Sequence, residues 1–149
     1  MASVSLVRHI NAPVEEVFAR GTDFANAANV VSSIIEMEML TDGPTRKGTR
    51  FRETRMMFGR EATETMEVLE FDPPRGYVLG AESHGSRYRT TFRYTEANGG
   101  TDLEMTFEAT PLSFVAKIMS VFMKGMMNKM VTKECGKDLD ELKAAIEAA

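Results

Sequence analysis

The stretch that decides the fold reads Thr101-Asp-Leu-Glu-Met-Thr-Phe-Glu-Ala109. From Asp102 onward, polar and apolar side chains alternate strictly, which predicts a strand with one dry face and one wet face. The stretch from Arg87 to Tyr94 alternates in the same way. Neighbouring strands with a single dry face are typical of an antiparallel sheet that is covered on one side only. The sequence therefore predicts such a sheet, which requires another element to cover it.

The covering element is expected directly after Pro111, where a helical pattern runs from Leu112 to about Ala148. Wrapping a curved antiparallel sheet around this helix gives an α+β helix-grip architecture, with two short helices after the first strand. The first half of the helix, up to Met130, is apolar over more than half of its circumference, whereas an ordinary surface helix needs a stripe only somewhat wider than ~100°. We therefore expect this half to contact a bound ligand, a second subunit or a lipid surface. The alternative is loose core packing by methionine.

The apolar face of this helix changes direction along its length. Its first half centres on Val115, Met119, Phe122 and Met126, and its second half on Val131, Cys135, Leu139, Leu142 and Ile146. The two faces differ by well over a quarter turn on a helical wheel, so a straight helix cannot bury both on one sheet. Glycine weakens a helix, so the pattern predicts a bend or break between Gly125 and Gly136, with the preceding segment acting as a movable lid.

The rest of the chain supplies the other elements of a single domain that spans residues 1–149. Pro13 is expected in the first turn of a short helix, where proline is tolerated, and Asp23 is expected to cap a second one. Further strands are expected at Ser3–Ile10, Gly48–Phe58, Glu61–Phe71 and Tyr77–Ser83.

Composition argues against several classes of protein. The net charge is −4, with acids and bases mixed along the chain, and nucleic acid is not expected as a partner because phosphate recognition needs a concentrated basic surface. Cys135 is the single cysteine, which allows no intrachain disulfide. No run approaches the ~18 consecutive apolar residues of a spanning helix, so no stable membrane insertion is expected. The first residues lack the apolar run of a signal peptide, and we expect a cytoplasmic protein.

Motifs for metal or cofactor chemistry are absent from the sequence. Two histidines and one cysteine, without H-E-x-x-H or C-x-x-C spacing, predict no metal site. The patterns G-x-S-x-G, Walker A and G-x-G-x-x-G do not occur, so no cofactor is expected. His84 lies in a predicted turn, where it could face the mouth of a cavity.

Several stretches resemble the START-like superfamily, also called SRPBCC or Bet-v-1-like. The stretch Ile10-Asn-Ala-Pro-Val-Glu-Glu-Val-Phe18 matches its opening pattern I-x-A-P-x-x-x-V-[FW], and Asp23 stands where that family has an aspartate. Later landmarks are matched by Val68-Leu-Glu-Phe-Asp-Pro-Pro74 and Leu139-Asp-Glu-Leu-Lys-Ala-Ala-Ile-Glu147. The resemblance covers nearly the whole chain and is closest to the polyketide cyclase/dehydrase and lipid-transport branch.

This resemblance implies a cavity between the sheet and the long helix that holds a small apolar or amphipathic molecule. Combined with the periodicities of the strands and the helix, it predicts which side chains line that cavity. The sheet is expected to contribute Phe51, Met66, Tyr88, Phe92, Tyr94, Met105 and Phe107. The helix is expected to contribute Val115, Met119, Phe122 and Met126.

Four charged residues share strand faces with these apolar ones and are candidate polar anchors: Arg8, Glu53, Arg55 and Glu64. A buried charge needs a partner, and the possible pairs are Glu53 with Arg55, or Glu64 with either arginine. Such a pair either orients a ligand or supplies an acid and a base for enolisation chemistry. For any one of these residues the favoured interpretation is instead a β-bulge after Gly48 that reverses the register and leaves the charge in solvent.

The sequence favours a carrier or sensor that binds a small hydrophobic ligand. A polyketide cyclase or aromatase type of enzyme is the first alternative. An interaction module that docks a partner, or forms a homodimer through the Met-rich helix, is the second. Two titratable groups facing one cavity would favour the enzyme, whereas an exposed Met-rich surface without a cavity would favour the module.

Overall fold

The structure is a computed structural model that describes residues 2–57, 59–83 and 85–148. Phe58, expected at the end of a strand, and His84, expected in a turn, lie outside these ranges. The helices are α1 (Val14–Gly21), a short 3-10 helix (Phe24–Asn29) and α2 (Phe114–Glu147). The strands are β1 (Ala2–Ile10), β2 (Ile34–Met39), β3 (Arg50–Met57), β4 (Arg60–Asp72), β5 (Gly76–Ser83), β6 (Ser86–Ala97) and β7 (Gly100–Pro111).

The strands form one antiparallel sheet in the order β1-β7-β6-β5-β4-β3-β2. The strands from β2 to β7 pair with their neighbours in the chain, and β1 closes the series by pairing with β7. Strands β1 and β2 are therefore the two edges, and the sheet is not closed into a barrel. The sheet curves around the long C-terminal helix, which confirms the predicted α+β helix-grip fold.

The register places the predicted dry faces on one side of the sheet, which we call the inner face. Leu103 of β7 lies opposite Tyr94, and Met105 lies opposite Phe92 on one side and Leu6 on the other. Directly opposite residues of an antiparallel pair point to the same face. Leu103 and Met105 are buried, whereas Arg93 between Phe92 and Tyr94 is exposed. The alternation read from the sequence is therefore confirmed.

Aromatic packing covers one end of the inner face with α1 and the 3-10 helix. The ring of Phe18 lies 5.2 Å from that of Tyr94 and 5.4 Å from that of Phe71. The ring of Phe24 stacks on that of Phe51 at 4.6 Å. Aromatic pairs at such distances contribute about 0.5–1.5 kcal/mol each beyond the burial of their area. This end of the molecule is a packed core.

Helix α2 runs without interruption from Phe114 to Glu147, so a break between Gly125 and Gly136 is wrong, whereas the bend stays a prediction. The cost of glycine inside a helix, about 1 kcal/mol per residue, is too small to break a helix of this length. Gly136 instead permits close packing, because a Cβ added there would lie 3.0 Å from Nη2 of Arg8. Within the described ranges, neither α2 nor any other helix is long and apolar enough to cross a membrane.

The second half of α2 packs on the inner face and is held by polar contacts from two sides. On the β1 side, Nε of Arg8 donates a hydrogen bond to Asp140 at 2.6 Å. On the opposite side, Nζ of Lys137 donates to the hydroxyl of Ser33 at 3.2 Å. The buried residues of this half are Val131, Gly136, Leu139 and Ile146. They follow the second apolar face that the sequence predicts.

Candidate functional site

The inner face is incompletely covered at the end where α2 begins. The amide of Leu112 donates a hydrogen bond to the carbonyl of Gly85, which ties the start of α2 to the β5–β6 turn. Near this turn, Tyr88 stacks on Phe107 with a ring separation of 5.7 Å. Both residues are only half-buried. Other half-buried apolar residues of the inner face are Leu6, Met66 and Leu79.

The first half of α2 crosses this end of the sheet, and one of its sides is less exposed than the rest. A Cβ added to Gly85 would lie 3.5 Å from that of Ala116, so Ala116 is turned toward the β5–β6 turn. Residues on the same side recur at intervals of about one or two helical turns. The sheet-facing side consists of the half-buried residues Ala116, Met123, Met127 and Met130. We call the region between this side of α2 and the half-buried part of the inner face the groove.

The four helix residues that the sequence assigned to a cavity wall lie on a different side of α2. Val115 is 69% exposed, Met119 49%, Phe122 82% and Met126 60%. The structure therefore differs from that expectation, and these side chains do not form the wall of a closed cavity. The reason is that the rotation of the first half is set by its attachment at Ala116, whereas several sides of this half are equally apolar in the sequence.

The sheet residues assigned to the cavity divide into two groups. Phe51, Tyr94 and Met105 are at most 4% exposed and belong to the aromatic core under α1 and the 3-10 helix. Phe92 is half-buried and stacks on Tyr77 at 4.6 Å. The remaining three, Met66, Tyr88 and Phe107, are half-buried side chains of the inner face.

A cluster of three charged residues joins the sheet to the second half of α2. Nε and Nη2 of Arg55 donate to the carboxylate of Glu53 at 3.0 and 3.3 Å, and Nη1 donates to Oδ2 of Asp138 at 2.9 Å. Glu53 is 8% exposed. The inward register of β3 is therefore the one found, and a register that leaves Glu53 and Arg55 in solvent is not. Asp138 was not recognised from the sequence, although it lies three residues after Cys135 and four before Leu142, within the buried stripe.

Burial and pairing act in opposite directions on the charged groups of this cluster. Burial disfavours the cationic form of Arg55, but the carboxylates of Glu53 and Asp138 outweigh it and raise the pKa of Arg55. Burial raises the pKa of Asp138 above its usual value, because the loss of hydration outweighs the attraction of Arg55. Oδ1 of Asp138 is buried and makes no hydrogen bond within the described part of the chain. The cluster therefore contains a fixed cation beside an acid with unused hydrogen-bonding capacity.

The other two candidate anchors occupy different surroundings. Glu64 of β4 lies directly opposite Glu53 and is half-buried, so two carboxyl groups stand side by side on the inner face. Arg8 is about one-third exposed and pairs with Asp140 rather than with the cluster of Arg55. Glu64 therefore shares the inner face with Glu53, and Arg8 binds α2 through Asp140.

Two open depressions lie elsewhere on the described part of the chain, and no α2 residue lines either of them. An open depression of about 750 Å³ borders the β4–β5 turn and β6, with Arg75, Tyr77 and Arg93 among its walls. A second, of about 450 Å³, is bordered by strands β3 to β6 and includes Met66 and Tyr88. No residue of α2 lies in the walls of either depression, so neither of them is the expected site between the sheet and the helix.

Neither metal binding nor a reactive thiol is supported by the described residues. No group of three or more His, Cys, Asp or Glu side chains within them could hold a metal ion. Burial raises the pKa of the Cys135 thiol to about 12, so this thiol stays protonated at neutral pH. A protonated thiol is a poor nucleophile.

Comparison with known proteins places this chain in a family. A family model described as Polyketide cyclase / dehydrase and lipid transport matches residues 1–147. No curated protein sequence matches the chain. Many solved structures do, and the protein TTHA0849 from Thermus thermophilus superposes with a TM-score of 0.81 at 18% identity, covering 98% of this chain and 97% of that one.

Two further structures carry descriptive names. A START superfamily protein from Mycobacterium smegmatis gives a TM-score of 0.80 at 13% identity and covers 99% of both chains. The Zhui aromatase/cyclase from a Streptomyces species gives 0.80 at 16% identity, covering 97% of this chain and 93% of that one. At these identities the likeness concerns the fold, and it agrees with the START-like resemblance of the sequence.

Proposed function

Because this chain belongs to the family of polyketide cyclases, dehydrases and lipid-transport proteins, we propose that it binds a small hydrophobic or amphipathic ligand. The binding site is the groove between the sheet-facing side of α2 and the half-buried part of the inner face. The protein then acts as a carrier or sensor in the cytoplasm.

The observation that carries this proposal is that apolar residues of α2 and of the inner face are each only half-buried. Met123 and Met127 of α2 and Leu79 and Phe107 of the sheet are such residues, and in this proposal they form the two walls of the site. Burial of apolar area is worth about 25 cal/mol per Å², so a ligand that fills the groove gains free energy from both walls. Methionine side chains adapt to irregular shapes, which suits a site that accepts varied apolar molecules.

We assign the role of polar anchor to Arg55, which would give an amphipathic ligand one orientation. The guanidinium of Arg55 donates three hydrogen bonds to Glu53 and Asp138. A guanidinium has five N–H groups, so Arg55 retains donors for an oxygen of a ligand. One or two placed polar groups in an apolar site are usually enough to fix orientation.

A fluorescence titration with cis-parinaric acid tests the proposal. We expect micromolar binding by the wild-type protein. The substitution Met127→Glu places a charge on the sheet-facing side and should weaken binding by about tenfold or more, because an unpaired charge in an apolar site is costly. The matched control is Met126→Glu, at the adjacent methionine, whose side chain is 60% exposed.

The two variants separate the groove from the rest of the helix. Binding that is lost in Met127→Glu and kept in Met126→Glu supports the groove. Equal binding by both variants, with circular dichroism spectra like that of the wild type, removes it as the site.

A second candidate function, aldol-type cyclisation of a poly-β-ketone, is favoured by Asp138. This residue combines a raised pKa with an unpartnered buried oxygen beside a fixed cation. Asp138 would exchange a proton with a carbon next to a carbonyl, and Arg55 would stabilise the enolate oxygen. The solved aromatase/cyclase of the same fold makes this chemistry worth testing.

A turnover assay with a linear poly-β-ketone separates the two functions. Catalysis predicts that Asp138→Asn lowers turnover by about 100-fold or more while the binding of cis-parinaric acid persists. Absence of turnover by the wild-type protein, together with binding of the probe, assigns the groove to carriage or sensing.

A further inference from the structure

The side of α2 that faces away from the sheet presents large apolar side chains to solvent. Phe114 is 76% exposed, Val121 75% and Phe122 82%. Val115 and Ile118 lie beside them and are 69% and 43% exposed. We call these five residues the outward patch. An apolar surface of this kind on a water-exposed helix is typical of an interaction site.

Lysines surround the outward patch, and acidic residues are missing from its segment. Lys117, Lys124, Lys129 and Lys133 are all exposed. No Asp or Glu occurs in the sequence between Glu108 and Glu134, whereas the whole chain has a net charge of −4. The segment is therefore a local cationic region on an acidic protein.

We propose that the outward patch and its four lysines dock this protein reversibly on the surface of an anionic lipid bilayer. A helix with aromatic and aliphatic residues and flanking lysines lies in the plane of a membrane interface, where its apolar side chains enter the boundary of the acyl chains. The lysines lie close enough to meet anionic headgroups, which attract basic residues near the surface. Docking requires no spanning helix, and none of the described helices can span a membrane.

Charge favours the bilayer over a second copy of the chain as the occupant. In a two-fold symmetric dimer the same patch meets itself, so the four lysines of each copy would oppose those of the other. Like charges brought together in this way repel one another. An anionic bilayer satisfies both components of the surface, the apolar side chains and the cations.

The inference is independent of what the groove binds, since the patch lies on a different side of α2. The two sides nevertheless belong to the same half of one helix. A docked protein would hold the open groove next to the lipid phase, from which an apolar ligand can enter.

Co-sedimentation with lipid vesicles tests the proposal on the full chain. The vesicles are pure phosphatidylcholine or phosphatidylcholine with about one third phosphatidylglycerol, whose negative surface attracts lysine. We expect binding to the anionic vesicles that is at least about tenfold stronger than to the neutral ones and that weakens as salt is added. Two double variants test the apolar side chains and the lysines separately. They are Phe114→Ser with Phe122→Ser, and Lys117→Glu with Lys124→Glu.

Control variants make single changes of the same kind at exposed positions outside α2. Val7→Ser removes a side chain that is 51% exposed on β1, and Lys47→Glu reverses the charge of an exposed loop lysine. We expect each double variant to lose at least about tenfold in binding and each control to bind as the wild type does.

Two results would overturn the proposal. One is a wild-type protein that does not sediment with the anionic vesicles. The other is a dimer in light scattering that both double variants disrupt while vesicle binding stays unchanged, since this assigns the patch to a second copy. Because the substituted side chains are exposed, thermal unfolding of the variants serves as the check that they remain folded.

Discussion

Arg55 of β3 and Asp138 of α2 are joined by a 2.9 Å hydrogen bond between Nη1 and Oδ2, and this ion pair links the sheet to the packed half of the long helix. Arg55 also bonds both oxygens of Glu53, so one cation serves two buried carboxylates. In the first half of α2, the sheet-facing methionines have no charged group and form no such ion pair. Arg55 and Asp138 therefore anchor the second half of α2, whereas the sheet-facing side of the first half consists of half-buried apolar residues.

Removal of the shared cation should destabilise the fold more than removal of one of its partners. Arg55→Met leaves Glu53 and Asp138 buried without a counter-charge, and we expect a loss of about 3–5 kcal/mol in the free energy of unfolding. Asp138→Asn keeps an acceptor for Arg55 and should cost about 1 kcal/mol. Urea unfolding at neutral pH measures both values. A smaller loss for Arg55→Met than for Asp138→Asn would refute the shared role of Arg55.

The pH dependence of stability should show the raised pKa of Asp138. Burial is the largest influence on this carboxyl group and raises its pKa despite the attraction of Arg55. The folded state therefore keeps the proton to a higher pH than the unfolded chain does, and stability falls as pH rises through this interval. Its contribution is complete below the ordinary aspartate pKa and is lost once pH exceeds the raised value.

The free energy of unfolding of the wild type minus that of Asp138→Asn isolates this contribution. We expect the difference to decrease as pH rises from below the ordinary aspartate pKa, and to become constant above the raised one. Urea titrations at a series of acidic pH values provide the measurement. A difference that increases over the same interval would show that pairing with Arg55 outweighs burial.

The two glycines of α2 should respond differently to alanine. A Cβ on Gly125 meets nothing within 4 Å, whereas one on Gly136 would lie 3.0 Å from Nη2 of Arg8. Gly125→Ala should raise stability by about 0.5–1 kcal/mol through helix propensity. Gly136→Ala should gain less or lose stability, because Arg8 must move away from its position beside Asp140. Equal gains in thermal unfolding would show that Gly136 is not a packing position.

Amide hydrogen exchange should separate the two halves of α2. Local opening is easiest where few tertiary contacts hold an element, so we expect faster exchange from Ala116 to Met127 than from Val131 to Leu142. Saturating cis-parinaric acid should slow exchange in the first half. Protection from exchange that is uniform along α2, and that changes with protein concentration but not with the probe, would favour a dimer over a movable lid.

The sequence correctly predicted those elements whose hydrophobic periodicity leaves only one face to be buried against a neighbouring element. Alternation in β6 and β7 identified the inner face because each strand has one dry side. Counting residues from Phe51 made Glu53 and Arg55 candidates for this face, but the sequence favoured a bulged register for any one of them, and the structure does not have that register. The second face of α2, with Leu139 and Ile146, was likewise predicted correctly, since this half has one apolar stripe and one neighbour.

Two features depended on contacts between distant residues and could not be read from local patterns. The rotation of the first half of α2 is set at Ala116 by the β5–β6 turn, while the sequence offers several apolar sides of similar width. The role of Asp138 depends on Arg55, which lies 83 residues away in the chain. A charged residue within a buried stripe was the signal that could have identified it.

The most direct measurement of the central claim is photo-crosslinking with a diazirine-bearing fatty acid, followed by peptide mass spectrometry. A ligand in the groove predicts labels on peptides that contain Met123 or Met127 from α2 and Tyr88 or Phe107 from the sheet, and these labels should disappear in excess cis-parinaric acid. Labels confined to Phe114 and Phe122 on the outward patch, or to the depression beside Arg75, would contradict the claim that the groove is the binding site.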